Sequence, residues 1–155
     1  MNQGIYWYNM AHNFAKGIFT LKNPQKYIGT KQPYYRSSWE FSFMHFCDTS
    51  PSIQKWASEA ISIPYKDPLT NRSTIYVPDF FIQYLDKNNK LNVELIEIKP
   101  SKQQLLEKVG KSISNQKQFI KNQAKWQAAQ MWCKQQGITF RVLNENDIFH
   151  NGKAK

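Results

Sequence analysis

The stretch from 73 to 100 constrains the fold most, because two β-rich segments flank a short polar turn. The segments "STIYVPDFFIQYL" (73–85) and "LNVELIEIKP" (91–100) are rich in β-branched and aromatic residues. The sequence "DKNNK" (86–90) between them is typical of a turn, so the pattern predicts an antiparallel hairpin. Pro100 ends the second strand because proline cannot donate to a sheet ladder.

The far end of this hairpin carries acidic and basic side chains where apolar ones are expected. If the hairpin is symmetric about Asn88, Asp79 lies opposite Glu97, with Cβ atoms about 5 Å apart. The two-residue period of a strand puts Lys99 on the same face as Glu97, whereas Glu94 has the opposite parity. A slip of one residue would separate the group, so the prediction depends on register.

Two carboxylates at this distance repel each other unless a cation joins them. Mg²⁺ is the expected ion, since it takes carboxylate, water and phosphate oxygens. It polarises phosphoryl oxygens and activates water, which suits phosphodiester hydrolysis, with Lys99 holding the nucleophile or stabilising charge on phosphorus. Two plainer readings stay open: a strand that emerges into water, and a nucleic-acid-binding module with a purely structural cation.

The remaining elements predict a mixed α/β domain whose sheet is flanked by helices. Ser37 or Ser38 is the expected N-cap of a helix that runs to Cys47, on which Trp39, Phe43 and Phe46 share a face. The other predicted elements are one strand at 55–65, a short helix or loop at 101–114, a helix at 115–137 that stops at Gly137, a strand at 138–144 and a helical turn at 145–149.

Charge points to the class of partner. The chain has 155 residues, with 21 Lys and Arg against 11 Asp and Glu, a net charge of +10. This excess favours nucleic acid over a membrane surface, since no basic amphipathic helix or spanning segment is visible. No signal peptide is visible, which predicts an intracellular protein. Cys47 and Cys133 match no zinc spacing and are expected to be buried thiols.

Three regions are expected: an aromatic arm at 1–20, a single domain at 21–150 and a basic tail at 151–155. Within the domain, "PD" followed after 17 residues by "EIK" resembles the PD-(D/E)xK nuclease superfamily. The resemblance implies a restriction-endonuclease-like core in which Asp79, Glu97 and the backbone carbonyl of Ile98 hold Mg²⁺, with Mn²⁺ as a substitute. It also implies that Glu40 adds to the metal site and that Lys99 is catalytic.

Longer motifs narrow the resemblance. The series "RSSWE", "PDF" and "EIK" is similar to TnsA-type transposon-end endonucleases, although those have glutamine where this chain has Glu97. With "YRSSWEFSFMHFCD", "LIEIKPSKQ" and "NQAKWQAAQMWCKQQG", the chain resembles head-completion nucleases of T-even-like tailed bacteriophages. That family implies processing of packaged DNA ends before tails join, in the host cytoplasm or on the virion.

The implied partners are double-stranded, branched or overhang-bearing DNA ends, and head, portal or neck proteins, with no membrane. The alternative is a head–tail joining protein that keeps the nuclease fold and acts by binding. Candidate phosphate contacts are Arg36, Lys102, Asn122 and Lys125, while Lys121 is less well placed. The plain alternative is a solvated polar surface, or for Arg36 an ion pair with Glu40. No sequence-reading motif is visible, so DNA shape or ends should set specificity.

Overall fold

A computed structural model describes residues 16–149. The strands are β1 (Gly17–Ile18), β2 (Tyr34–Tyr35), β3 (Ile53–Ser58), β4 (Ile63–Lys66), β5 (Ser73–Tyr76), β6 (Phe80–Leu85), β7 (Leu91–Ile98) and β8 (Thr139–Leu143). The helices are α1 (Ser38–Thr49), α2 (Leu106–Val109), α3 (Ile113–Gln136) and α4 (Glu145–Phe149), with 3-10 turns at Pro24–Lys26 and Ser101–Gln103. Most of the predicted arm (1–20) and all of the predicted tail (151–155) lie outside the described residues.

A four-stranded mixed sheet in the order β3-β6-β7-β8 forms the centre of the fold. The pairs β3–β6 and β6–β7 are antiparallel, and β7–β8 is parallel. A parallel neighbour needs a long crossover, which α3 supplies between β7 and β8. The predicted mixed α/β fold is therefore confirmed.

The two faces of the sheet bury separate hydrophobic cores. On one face, Ile82 and Ile96 pack with Met44 of α1. On the other face, Leu95 packs with Trp126 of α3. Alternate strand residues point to opposite faces, so neighbours such as Leu95 and Ile96 enter different cores.

Both cysteines are buried, as predicted. Cys47 lies in the core on the α1 side of the sheet, and Cys133 lies in the core on the α3 side. Burial disfavours the thiolate and raises the pKa of Cys133 to about 11. A thiol in such surroundings packs as a small apolar group, which fits the structural role predicted for it.

The register of the β6–β7 hairpin is the one predicted. Its pairs run from Phe80 opposite Ile96 to Leu85 opposite Leu91, so each pair is equidistant from Asn88. The carboxylate of Asp86 stabilises the turn by accepting hydrogen bonds from turn N–H groups.

Two predicted strands were wrong in length, because each is broken into two. The predicted strand 55–65 is β3 and β4, separated at Glu59, whose φ of +50° is left-handed. The predicted strand 73–85 is β5 and β6, separated at Pro78. The breaks lie side by side, since the Glu59 N–H donates to the Asp79 carbonyl at 2.9 Å. The segment β3–β4 pairs with the segment β5–β6 as one long hairpin, and this long hairpin bends at the two breaks. Its outer half, β4–β5, forms a separate two-stranded sheet over α3.

The helix ends predicted from capping residues were largely right. The Ser37 side chain accepts a hydrogen bond from the Glu40 N–H as the N-cap of α1, which extends two residues beyond Cys47. Gly137 ends α3 in the left-handed region at φ +71°, as a C-terminal glycine should. Within residues 16–149, no helix is long and apolar enough to span a membrane.

Candidate active site

Asp79 lies at the bend of the long hairpin, just before β6. Its Oδ2 accepts a hydrogen bond of 2.8 Å from the backbone N–H of Ile98 on β7. Continuing the β6–β7 register by one residue places Asp79 opposite Glu97. The bend therefore aims the aspartate side chain at the end of β7 instead of continuing the strand.

Glu97 is buried on the α3 face of the sheet and has two different partners. Its Oε2 accepts a hydrogen bond of 2.7 Å from the Tyr76 hydroxyl, which reaches over from β5. Its Oε1 lies 3.6 Å from Nζ of Lys99 on the same strand. The Lys99 side chain is three-quarters buried. Since Asp79 lies opposite Glu97 and Lys99 lies beside it, the three side chains form one compact group, as the predicted register requires.

Pro78 has a specific effect on the end of β7. The N–H and C=O of one strand residue point to the same side, so the Ile98 carbonyl shares the edge that faces Asp79. The same register would put Pro78 opposite Ile98, and proline has no N–H to donate. Pro78 therefore leaves the Ile98 carbonyl without a ladder hydrogen bond from the opposite residue, and the Asp79 carboxylate lies on the same edge as that carbonyl.

Glu40 approaches this group from the first turn of α1. Its Oε2 accepts a hydrogen bond of 2.9 Å from the Arg36 backbone N–H. Its charge raises the pKa of Asp79, so the two carboxylates lie within electrostatic range. The Arg36 guanidinium does not pair with Glu40, the alternative to a phosphate contact; its ion pair, at 2.5 Å, is with Glu59 at the bend.

The surroundings disfavour ionisation of both central acids. The pKa of Asp79 is raised well above its ordinary value by loss of hydration and then by the charge of Glu97, against the opposing Ile98 hydrogen bond. Burial also raises the pKa of Glu97, although the Tyr76 hydroxyl and the charge of Lys99 oppose the shift. Such a pair gains most when a proton or a metal cation neutralises it.

The oxygens here fit a hard divalent cation. Across residues 16–149, no three His, Cys, Asp or Glu side chains gather into a ready-made metal cluster. Asp79, Glu97 and the Ile98 carbonyl would hold an ion such as Mg²⁺, which commonly keeps water and takes substrate phosphate as its other ligands. The direct metal contact predicted for Glu40 stays a prediction.

The other predicted DNA contacts lie at different depths. Lys125 of α3 is half-buried beside the site, with Nζ 5.6 Å from the centre of the Tyr76 ring. Asn122 is only 3% exposed, which leaves it little surface for a phosphate, and its amide oxygen accepts from Gln118. Lys102 is exposed on the 3-10 turn that follows Lys99.

Three interactions at the site were not predicted from the sequence. Tyr76 carries no local sign of its bond to Glu97, because the partners lie on strands that the bend brings together. The Gln104 side chain donates to the Lys99 carbonyl at 2.7 Å, from a segment predicted only as helix or loop. Burial lowers the pKa of Lys125, and the charge of Lys121, which the sequence predicts to be less well placed, lowers it further. The four-residue spacing of these two lysines could have signalled this.

The known proteins that resemble the chain are nucleases. The family described as TnsA-like endonuclease, N-terminal, matches residues 50–145, which include Asp79, Glu97 and Lys99 but not Glu40. The chain belongs to this TnsA-like endonuclease family and is therefore a nuclease. It is also similar to the head completion nuclease of Enterobacteria phage T4, with 32% identity over 142 residues, 85% of this chain and 92% of that protein.

Proposed function

We propose that the protein is a Mg²⁺-dependent DNA endonuclease of phage head completion, and that Mn²⁺ can replace Mg²⁺. The observation that carries the proposal is the compact group of Asp79, Glu97 and Lys99, in which two acids resist ionisation beside a lysine. Its proposed substrate is the end of packaged DNA, trimmed in the host cytoplasm before the tail joins. The name of the phage T4 relative supports this setting.

The side chains divide the work of hydrolysis. Asp79 and Glu97, with the Ile98 carbonyl, would hold the cation, which would supply Lewis-acid polarisation of the phosphoryl group and of water. Tyr76 keeps one Glu97 oxygen engaged, so that the other faces Lys99. Lys99 is placed to hold the attacking water and to offset the negative charge that builds on the phosphate.

Two glutamates of β7 give a matched test. Glu97→Gln should abolish cleavage of linear, nicked, branched and overhang-bearing DNA in Mg²⁺. Glu94→Gln should keep it, because Glu94 is equally buried but lies on the opposite face, bound to the Tyr84 hydroxyl and paired with Arg141. Circular dichroism confirms that each variant is folded before its rate is compared with the parent.

The outcomes are distinct. Cutting by the parent and Glu94→Gln alone supports the proposal, and the preferred DNA form identifies the substrate. Cutting by Glu97→Gln at the parental rate contradicts the assigned site. A parent that binds phage heads or DNA but never cuts with Mg²⁺ or Mn²⁺ would point to a joining protein instead.

A further inference from the structure

Helix α3 has an unusual charge composition for its length. Its 24 residues include Lys117, Lys121, Lys125 and Lys134 but no aspartate or glutamate. Lysines one turn apart repel by about 0.2–0.5 kcal/mol per pair, and acids at this spacing would relieve that cost. An acid in the first turn would also favour the helix dipole, and none is present. The composition lowers the intrinsic stability of the helix, so a role outside folding is needed to explain it.

Three of the lysines form a single stripe. Lys117, Lys121 and Lys125 follow each other at intervals of four, so each lies about 6 Å further along the helix axis. Exposure falls along the stripe: Lys117 is exposed, the Lys121 side chain is 37% exposed, and Lys125 is half-buried near Glu97. The stripe therefore leads from the open surface into the candidate active site.

A cleft accompanies the outer end of the stripe. It has a volume of about 400 Å³ and lies between the β4–β5 turn and the start of α3. Its lining combines apolar Leu69 and Ile113 with Lys117 and Lys121. An elongated surface of this kind, basic along its length and apolar at its edge, suits a nucleic-acid strand.

We propose that the lysine stripe (Lys117, Lys121 and Lys125) binds the phosphates of the DNA strand that runs into Asp79 and Glu97. The inference rests on the proposed function and extends it by assigning the approach path of the substrate. Asp67 has Oδ2 3.5 Å from Nζ of Lys121, and it keeps that ammonium over the cleft. When DNA is bound, a phosphate takes the place of the Asp67 carboxylate as the ion-pair partner of Lys121.

The test measures binding apart from cleavage. Anisotropy of a labelled duplex in EDTA, over a range of NaCl concentrations, compares the parent with Lys117→Gln/Lys121→Gln. Each lost phosphate contact should reduce the steepness of the log–log salt dependence by about 0.9, hence by about 1.8 for the pair. At 0.1 M salt, affinity should fall about 10- to 60-fold. Cleavage at subsaturating DNA should fall in parallel with the affinity, because the rate is then limited by binding.

A matched control removes the same charge elsewhere. Lys87 and Lys90 are exposed in the β6–β7 turn, at the opposite end of the hairpin from Asp79. Lys87→Gln/Lys90→Gln should lose less than about threefold in affinity and keep the parental salt slope. Equal losses of DNA affinity in the two double variants, or no loss in the stripe variant, would contradict the proposed role of the lysine stripe. A parent that binds DNA without cutting it would refute the nuclease proposal, while the anisotropy result would still decide the stripe.

Discussion

Asp79 is the residue whose environment and assigned role are most closely linked. Its carboxylate is held by one backbone N–H, while burial and the charge of Glu97 oppose its ionisation. The folded apo site therefore disfavours a charge that the unfolded chain carries more easily. Stability should fall as pH rises from the ordinary aspartate pKa to the raised value in the folded state.

Asp79→Asn should consequently raise the free energy of unfolding at pH 7 without metal, by about 1 kcal/mol, the usual size of a stabilising active-site substitution. Asparagine can still accept the Ile98 hydrogen bond, so the geometry is kept. Thermal unfolding in EDTA measures the gain, and Mg²⁺ should then stabilise the parent but not the variant. Glu107→Gln, an exposed change in α2, serves as control. A lower melting temperature for Asp79→Asn would refute this account of the site.

Tyr76 is predicted to be a positioning residue for Glu97. Its hydroxyl hydrogen bond lowers the pKa of Glu97, against the larger effect of burial. Tyr76→Phe removes only that donor, so the Glu97 pKa should rise and the acid limb of the cleavage–pH profile should move to higher pH. Loss of an orienting partner typically costs about 10- to 100-fold in metal affinity or activity. A pH profile with a Mg²⁺ titration tests this, and an unshifted acid limb would contradict it.

At the scale of elements, the bend of the long hairpin builds the site. Pro78 and the left-handed Glu59 break two neighbouring strands at one level. The inner half then completes the central sheet, while the outer half carries Tyr76 over Glu97. A straight hairpin would have left the acids at a sheet end without the tyrosine above them.

Helix α1 is fastened at its other end by Asp48, which is completely buried. Its carboxylate accepts hydrogen bonds from the backbone N–H groups of Lys22 and Asn23, at 2.8 and 3.1 Å. Asp48→Ala should destabilise the fold by about 3 kcal/mol, because two backbone N–H groups lose a charged acceptor that is itself completely buried. Asp48→Asn should cost less, since it keeps one acceptor oxygen.

Urea unfolding measures both Asp48 variants. Cleavage per folded molecule should stay at the parental level, since Asp48 is two turns of α1 away from Glu40. An unchanged unfolding midpoint for Asp48→Ala would contradict the fastening role. A loss of cleavage at full stability would contradict the separation of this contact from the site.

On the scale of the whole molecule, the acids are mostly engaged internally. At least ten of the eleven carboxylates accept a hydrogen bond within the fold, in caps, turns, ion pairs or the site itself. Many lysines, in contrast, lie on the surface. The exposed charge is therefore dominated by lysine, in keeping with the net charge of +10, and it favours a polyanionic partner.

This charge distribution predicts a steep salt dependence of cleavage. At subsaturating DNA, the log of the rate against the log of NaCl concentration should have a slope of about −3 or steeper, corresponding to three or more phosphate contacts. At saturating DNA the rate should change little, because salt acts on encounter and binding. Sucrose at matched osmolality should have no comparable effect. A slope near zero would show that binding depends little on these charges.

The candidate site was predictable where neighbours in sequence determine it. A turn centred on Asn88 and the two-residue strand period suffice to align Asp79, Glu97 and Lys99, and the register confirms that alignment. The helix ends at Ser37 and Gly137 were also readable, because capping depends on adjacent residues. Strand length was not, since alternation continues through Glu59 and Pro78 although the backbone bends there.

What the sequence by itself determined is the hairpin register, the pairing of the two acids with the lysine, and the basic character of the surface. These follow from local periodicity, turn length and composition. Only the tertiary structure decided that Tyr76 bonds Glu97, that Arg36 pairs with Glu59, and that the α3 lysines lead to the site. Those contacts depend on the bend and on the crossover helix, which bring together residues 20 to 50 positions apart in the chain, and no local pattern encodes such distances.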